Sequence, residues 1–200
     1  MASLFDLSCK TMSKVIAKET ERIILGVDPG TTVMGYGIIL IKNKEMKLLQ
    51  YGVIHLSKYA DHYIKLSKIY ERIIQIIDEF HPDEMAIEAP FFGKNIQSML
   101  KLGRAQGTAI AAAISRQIPI VEYAPKKIKQ SVTGNGNASK EQVAAMLEIL
   151  LHFKDDKKSK LLDATDALGV AVCHHFLKGE NKTKSKCWNT FLSENPDRVK

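Results

Sequence analysis

Asp28, Glu88, Asp163 and Asp166 stand where packing alone does not call for acidic side chains. Asp28 closes the apolar run Ile23–Val27 and precedes Pro29-Gly30, and Glu88 closes Met85–Ile87 just before Pro90. Both read as strand-end carboxylates, and in open α/β sheets ligands gather at the carboxyl ends of strands. Asp163 and Asp166 are spaced i, i+3 on a helical pattern, so both leave the same face. Their neighbours Ala164, Ala167, Leu168, Ala171 and Val172 form an apolar side that must pack on the sheet, which carries the two acids to the edge of the core. Carboxylates gathered there repel one another and lose hydration, which raises their pKa values. A divalent cation with a preference for oxygen ligands, Mg²⁺ or Mn²⁺, relieves both effects. Two such ions ~3.5–4 Å apart activate a water and stabilise the leaving oxygen of an in-line displacement at phosphorus.

Each acid has an ordinary explanation as well. Asp28 could serve only the turn at Pro29-Gly30, and Glu88 could be an exposed strand end. Asp163 could cap a helix and Asp166 could complement its dipole. The joint pattern, not any single residue, points to a metal centre.

The elements that must position these acids follow from apolar periodicity. Ile23–Val27 reads as a buried strand, Gly35–Ile41 as a second, and Lys47–Leu56 as a third across the polar turn Asn43-Lys44. Leu66, Ile69, Tyr70, Ile73, Ile74 and Ile77 fall at helical spacing, and His81-Pro82 ends that helix. Met85–Glu88 is a fourth strand, residues 96–117 a Gly- and Ala-rich helix, and Ile118–Tyr123 a fifth strand. A Lys-rich helix starts near Pro125. Ser139 to Gln142 has the form of a capping box for the next helix, and the last runs from about Leu162 to Leu177. The order β-β-β-α-β-α-β-α-α-α predicts an α/β domain: a five-stranded mixed sheet with helices on its faces. Residues 1–22 read as a loose N-terminal extension, 23–177 as the domain, and 178–200 as a polar tail.

Among the 200 residues, 45% are hydrophobic, enough for a full core, and no run approaches the ~20 apolar residues of a membrane-spanning helix. This predicts a soluble protein with no membrane partner. A net charge of +7 favours a polyanionic partner. The three cysteines, Cys9, Cys173 and Cys187, are odd in number and widely spaced, which fits a reducing cytoplasm rather than a disulfide framework or a zinc site. The first 22 residues lack the apolar stretch of a secretory signal.

From Ile23 to Phe176 the chain resembles the RuvC Holliday-junction resolvases. The resemblance rests on Leu-Gly-Val-Asp-Pro-Gly (25–30) with Gly-Tyr-Gly (35–37), and Ala-Ile-Glu (86–88) with Phe-Phe-Gly-Lys-Asn (91–95). It continues through Leu-Gly-Arg-Ala-Gln-Gly (102–107), Lys-Lys-Ile-Lys-Gln (126–130) and Asp-Ala-Thr-Asp-Ala-Leu (163–168). It implies an RNase H-like fold in which Asp28, Glu88, Asp163 and Asp166 bind two Mg²⁺ ions, with Mn²⁺ able to substitute. The implied activity is symmetric nicking of four-way DNA junctions in recombination and repair. The implied partners are junction DNA, a second copy of the chain, and a branch-migration helicase. Thr31-Thr32-Val33-Met34 departs from the family, in which many relatives carry a basic residue there.

Phe91 lies with Phe92 between Pro90 and Gly93, where two adjacent aromatics cannot easily both face inward, and the resemblance gives Phe91 an unpaired base to stack on. Lys129 and Lys140 match family positions at the scissile backbone. Lys94, Lys101, Arg104, Lys126 and Lys127 lie near the same elements, although a run of lysines is usually only a solvated face. The Gly103, Ala105, Gly107, Ala109 and Ala111–Ala113 helix could pack closely on a second subunit as well as on its own sheet. His174 and His175 read as helix-end histidines, with His175 the one able to turn toward the core. Two other function classes compete. Gly26-Val-Asp-Pro-Gly-Thr-Thr32 is similar to the phosphate loop of actin/Hsp70/sugar-kinase ATPases, though those close two lobes on a nucleotide. A non-catalytic DNA-binding module is the third reading.

Overall fold

The computed structural model describes residues 21–43, 45–90, 95–153 and 162–181, with side chains described as far as 178. Its strands are β1 (Glu21–Asp28), β2 (Val33–Lys42), β3 (Glu45–His55), β4 (Glu84–Glu88) and β5 (Ile120–Tyr123). Its helices are α1 (His62–Phe80), α2 (Ile96–Ser115), α3 (Pro125–Thr133), α4 (Lys140–Leu150) and α5 (Leu162–Asn181). The sheet order is β3-β2-β1-β4-β5. β1, β2 and β3 form an antiparallel meander, while β4 and β5 run parallel to β1. β1, β3, β4 and β5 therefore all point the same way.

Side-chain alternation divides the sheet into two faces. Leu25, Val27, Tyr36, Ile38, Met85 and Ile87 pack on α1 and α2 through Ile69, Ile73, Ile76, Ala105, Ala109 and Ala112. Ile24, Ile39 and Ile41 face the other way, onto Leu168, Ala171 and Val172 of α5 and Val143 and Leu147 of α4. Ala86 faces the same way and meets Val170 and Cys173 of α5 and Ile128 of α3. By the same parity, Asp28 and Glu88 emerge on the α5 side.

Three glycines let α5 lie against the backbone of the sheet. A Cβ at Gly26 would come within 2.8 Å of the Ala171 nitrogen, one at Gly35 within 2.8 Å of the Asp163 carbonyl carbon, and one at Gly37 within 2.6 Å of a Leu168 methyl. Gly35 is the cross-strand partner of Asp28. The glycine that admits the first turn of α5 thus sits beside the strand-end acid.

Local signals account for the helix ends. Ser139 and Gln142 close a reciprocal capping box at α4, and Asp61 accepts from Ile64 N–H at the start of α1. α1 stops one residue before Pro82, at a left-handed His81 (φ 47°) whose N–H reaches Ile77 O. The sequence expectation for α1 holds except at Tyr70, which is exposed, with Ile76 buried in its place. Among the described residues, no helix is long and apolar enough to cross a membrane. Cys173 is a buried free thiol, and Cys9 and Cys187 lie outside the described residues.

Candidate active site

α1, α2 and α3 each follow a strand that points the same way, so their N-termini lie at the carboxyl end of the sheet. α4 and α5 begin there too, because Lys140 at the start of α4 donates to Asp166 in the first turns of α5. Five helix N-termini, each with partial positive charge, converge on the end of the sheet that carries the acids.

Asp28, Asp163 and Asp166 bring one oxygen each within 4.8 Å of one another. Glu88 lies one strand over. The β1–β4 register ends at Val27↔Ile87, so Asp28 and Glu88 are the next residues on adjacent parallel strands. Glu88 shares a cleft of about 240 Å³ with Asp28, Asp166, Lys129 and Lys140, floored by Pro125, Ile128 and Val143. Buried Gln106 of α2 donates to the Glu88 carbonyl at 3.4 Å and holds that strand end from the other face.

Burial pushes the Asp28 carboxyl up to about 8, reinforced by repulsion from Glu88, Asp166 and Asp163 and opposed by Lys140. Burial and Asp166 together push Glu88 up to about 7, against Lys140 and Lys129. Lys140 sits 3.8 Å from Asp163 as well as bonding Asp166. Burial works against its charge, but the hydrogen bond to Asp166 and the attraction of the carboxylates prevail, and its pKa rises. The all-oxygen donor set and this clustered negative charge fit divalent cations of the Mg²⁺ or Mn²⁺ type.

The four acids anticipated from the sequence are thus brought to one end of the sheet, with Lys129 and Lys140 beside them. Phe91 and Lys94 lie outside the described residues. Lys101, Arg104, Lys126 and Lys127 are exposed. On α2, Ala105, Ala109, Ala112 and Ala113 are buried in the chain's own core, while a Cβ at Gly103 or Gly107 would meet nothing within 4 Å.

His174, not His175, turns into the core. It is 3% exposed, sees Tyr123 Oη at 2.8 Å through Nδ1, and reaches Glu84 at 2.7 Å through Nε2. Glu84 can only accept, so Nε2 carries the proton and the Tyr123 hydroxyl donates to Nδ1. Burial, with repulsion from Arg22, pulls the His174 pKa down to about 4 and keeps the ring neutral. Arg22, 3.5 Å from Glu84, donates to His175 at 3.2 Å, and Lys178 pairs with Glu84. This network ties β1, β4, β5 and α5 together, running from Glu84 at the start of β4 to Tyr123, the register partner of Glu88. The sequence reading missed it because its members are scattered singly along the chain.

The family model for Crossover junction endodeoxyribonuclease RuvC matches residues 24–174. A RuvC crossover junction endodeoxyribonuclease of Cytophaga hutchinsonii is 70% identical over 189 residues, covering 94% of each chain. That of Porphyromonas gingivalis is 57% identical over 185 residues, covering 90% of this chain and 98% of the relative. Among solved structures, Thermus thermophilus RuvC in complex with Holliday junction substrate aligns with a TM-score of 0.73 at 28% identity, over 80% of this chain and 96% of that one. The yeast mitochondrial Holliday junction resolvase shares the fold, with a TM-score of 0.60 at 13% identity. The five-stranded mixed sheet flanked by helices is accordingly RNase H-like.

Proposed function

Since the chain belongs to the RuvC family of crossover junction endodeoxyribonucleases, we propose that Asp28, Glu88, Asp163 and Asp166 are the centre with which it resolves Holliday junctions. The observation that carries this is the meeting of carboxylates from β1, β4 and α5 at the carboxyl end of the sheet, three of them within 4.8 Å. Nothing in the comparisons favours an ATPase or a non-catalytic module.

The centre takes two Mg²⁺ ions, with Mn²⁺ able to substitute. Bound there, they supply Lewis acidity and an activated water for phosphodiester hydrolysis. The protein's own residues do the positioning. Asp28 and Glu88 are fixed on rigid strand ends, and the glycine track under α5 sets Asp163 and Asp166 against them. Lys140, which bonds Asp166, and Lys129, which lines the same cleft, offer charge-assisted donors to the phosphate beside the acids. Phe91 and Lys94, which follow Glu88 closely in the sequence, act on the bases and backbone near the crossover.

The active species is a homodimer, because the described residues of one chain hold one such centre and a junction needs two opposed nicks. The outward face of α2 supports this, with Ile96, Leu100 and Ile114 exposed alongside the open Gly103 and Gly107. The enzyme works in the cytoplasm with a branch-migration helicase. A synthetic four-way junction, incubated with Mg²⁺ with and without chelator, tests the reading. Paired, ligatable nicks that vanish with chelator are expected. Failure to cut in either Mg²⁺ or Mn²⁺, or equal cutting of linear duplex, would refute it.

A further inference from the structure

The acids divide the carboxyl end of the sheet into two sides. Lys129 and Lys140 belong to the α3–α5 side. On the α1–α2 side, His62 begins α1, and its imidazole pKa is lowered by burial and then by repulsion from Arg104, Lys101 and Lys65. Cations from the first turn of α1 and the N-terminal half of α2 therefore act on one ring, whose Nε2 is buried without a hydrogen-bond partner. The one acid acting on that ring, Asp61, already accepts from Ile64 N–H as the cap of α1. Among the described residues, Lys65, Lys101 and Arg104 form no ion pair, whereas Lys68, Arg116 and Lys140 each hold a carboxylate.

The cluster is joined to the active site. Lys65 Nζ donates to Thr31 O at 3.3 Å, in the loop that leaves Asp28. Pro29 to Thr32 of that loop contain no basic residue, so α1 supplies the charge there. Lys101 and Arg104 are exposed on α2, whose N-terminus lies at the same end of the sheet. Uncompensated like charges around a partly desolvated imidazole are unfavourable in the free protein and become favourable against a polyanion.

We propose that Lys65, Lys101 and Arg104 form a second phosphate-binding surface, which takes the DNA backbone after it has crossed the carboxylates from the Lys129–Lys140 side. The strand then runs over the end of the sheet, held on both sides of the scissile position. Phosphate contacts of this kind fix register without reading sequence. The inference rests on the junction-nuclease reading and adds the path of the strand to it.

The test is equilibrium binding of a labelled four-way junction in chelator across a range of salt, for the wild-type chain, the triple variant K65Q/K101Q/R104Q and each single variant. Each phosphate contact contributes about 0.9 to the slope of log affinity against log salt, so the triple variant should be shallower by roughly 2–3 and each single variant by about 1. Over a fourfold rise in salt, the wild-type affinity should fall about 40-fold further than that of the triple variant. Lys101 and Arg104 are exposed and Lys65 is half-buried, so thermal melting of K101Q and R104Q should stay near wild type, and these two carry the test if the other variants do not fold. Unchanged slopes in these variants, with a shallower slope in Lys129→Gln, would overturn the second surface and leave the nuclease reading standing. A wild-type chain that neither prefers nor cuts junctions would instead remove the nuclease reading itself.

Discussion

Gly35→Ala should disable the enzyme through a single methyl group that touches no carboxylate. A Cβ at position 35 would lie 2.8 Å from the Asp163 carbonyl carbon and 3.3 Å from the Ala167 Cβ, with the Asp163 oxygen closer still. Ordinary carbon–carbon contact is ~3.5–4.0 Å, so the first turn of α5 must move away from the sheet by about 1 Å. The obstacle is backbone, which cannot step aside by changing rotamer. Overpacking of this kind costs about 1–3 kcal/mol, which a domain of this size survives. The functional cost is larger, because the shift carries Asp163 and Asp166 away from Asp28 and Glu88, and displacements near 1 Å lower rates by ~10²-fold. Single-turnover cleavage of a four-way junction in Mg²⁺ should fall by about that factor, while junction binding in chelator stays close to wild type. Gly169→Ala is the internal control on the same helix. Its Cβ would make ordinary contacts of 3.4 Å to Ile128 and 3.7 Å to Val143, so cleavage should persist and helix propensity should favour folding by up to about 1 kcal/mol. Wild-type cleavage by Gly35→Ala would show that the acids do not depend on this close approach, and the positioning argument would fall.

Asp28 and Glu88 bind protons more tightly in the folded chain than in the unfolded one, so in chelator stability should fall as pH rises from about 4 through about 7–8. Thermal melts should show that decline, and Asp28→Asn or Glu88→Gln should flatten it; an unchanged slope would contradict the electrostatics of the site. Mg²⁺ or Mn²⁺ should raise the melting temperature more at pH 8 than at pH 5.5, since the ions compete with those protons, and equal shifts would argue against binding at these acids. Asp28→Asn should lose cleavage while keeping junction binding, as band-shift and nicking assays on one preparation would reveal. His174→Phe removes the bonds to Tyr123 and Glu84 and should cost about 1–3 kcal/mol in denaturant unfolding; an unchanged midpoint would mean the network contributes no stability.

Much of the fold was legible because it is written in local patterns. The short apolar runs of β1 and β2, the capping box at Ser139 and the proline at the start of α3 each leave a signal within a few residues. The acids were legible for a related reason. Strand parity and helical i, i+3 spacing fix which way a side chain leaves its element, even when its partners are distant in sequence. What depended on tertiary packing was not visible. Gly35-Tyr-Gly37 stood out as a motif, but that α5 rests on it follows only from the fold. His174 and His175 are indistinguishable by composition, and a few tens of degrees of helix rotation decide that His174 is the buried one. Lys65 was passed over as one polar residue among several between the apolar positions of α1. Its place beside the Asp28 loop depends on how that helix meets the sheet.

The central claim is that carboxylates from three separate elements hold catalytic cations between them. Anomalous diffraction from crystals grown in Mn²⁺ tests it most directly. Two peaks about 3.5–4 Å apart are expected, ligated by oxygens of Asp28, Glu88, Asp163 and Asp166, with Lys140 displaced from Asp166. Density for manganese elsewhere, with Lys140 still bonded to Asp166 and no peak beside Asp28, would contradict it.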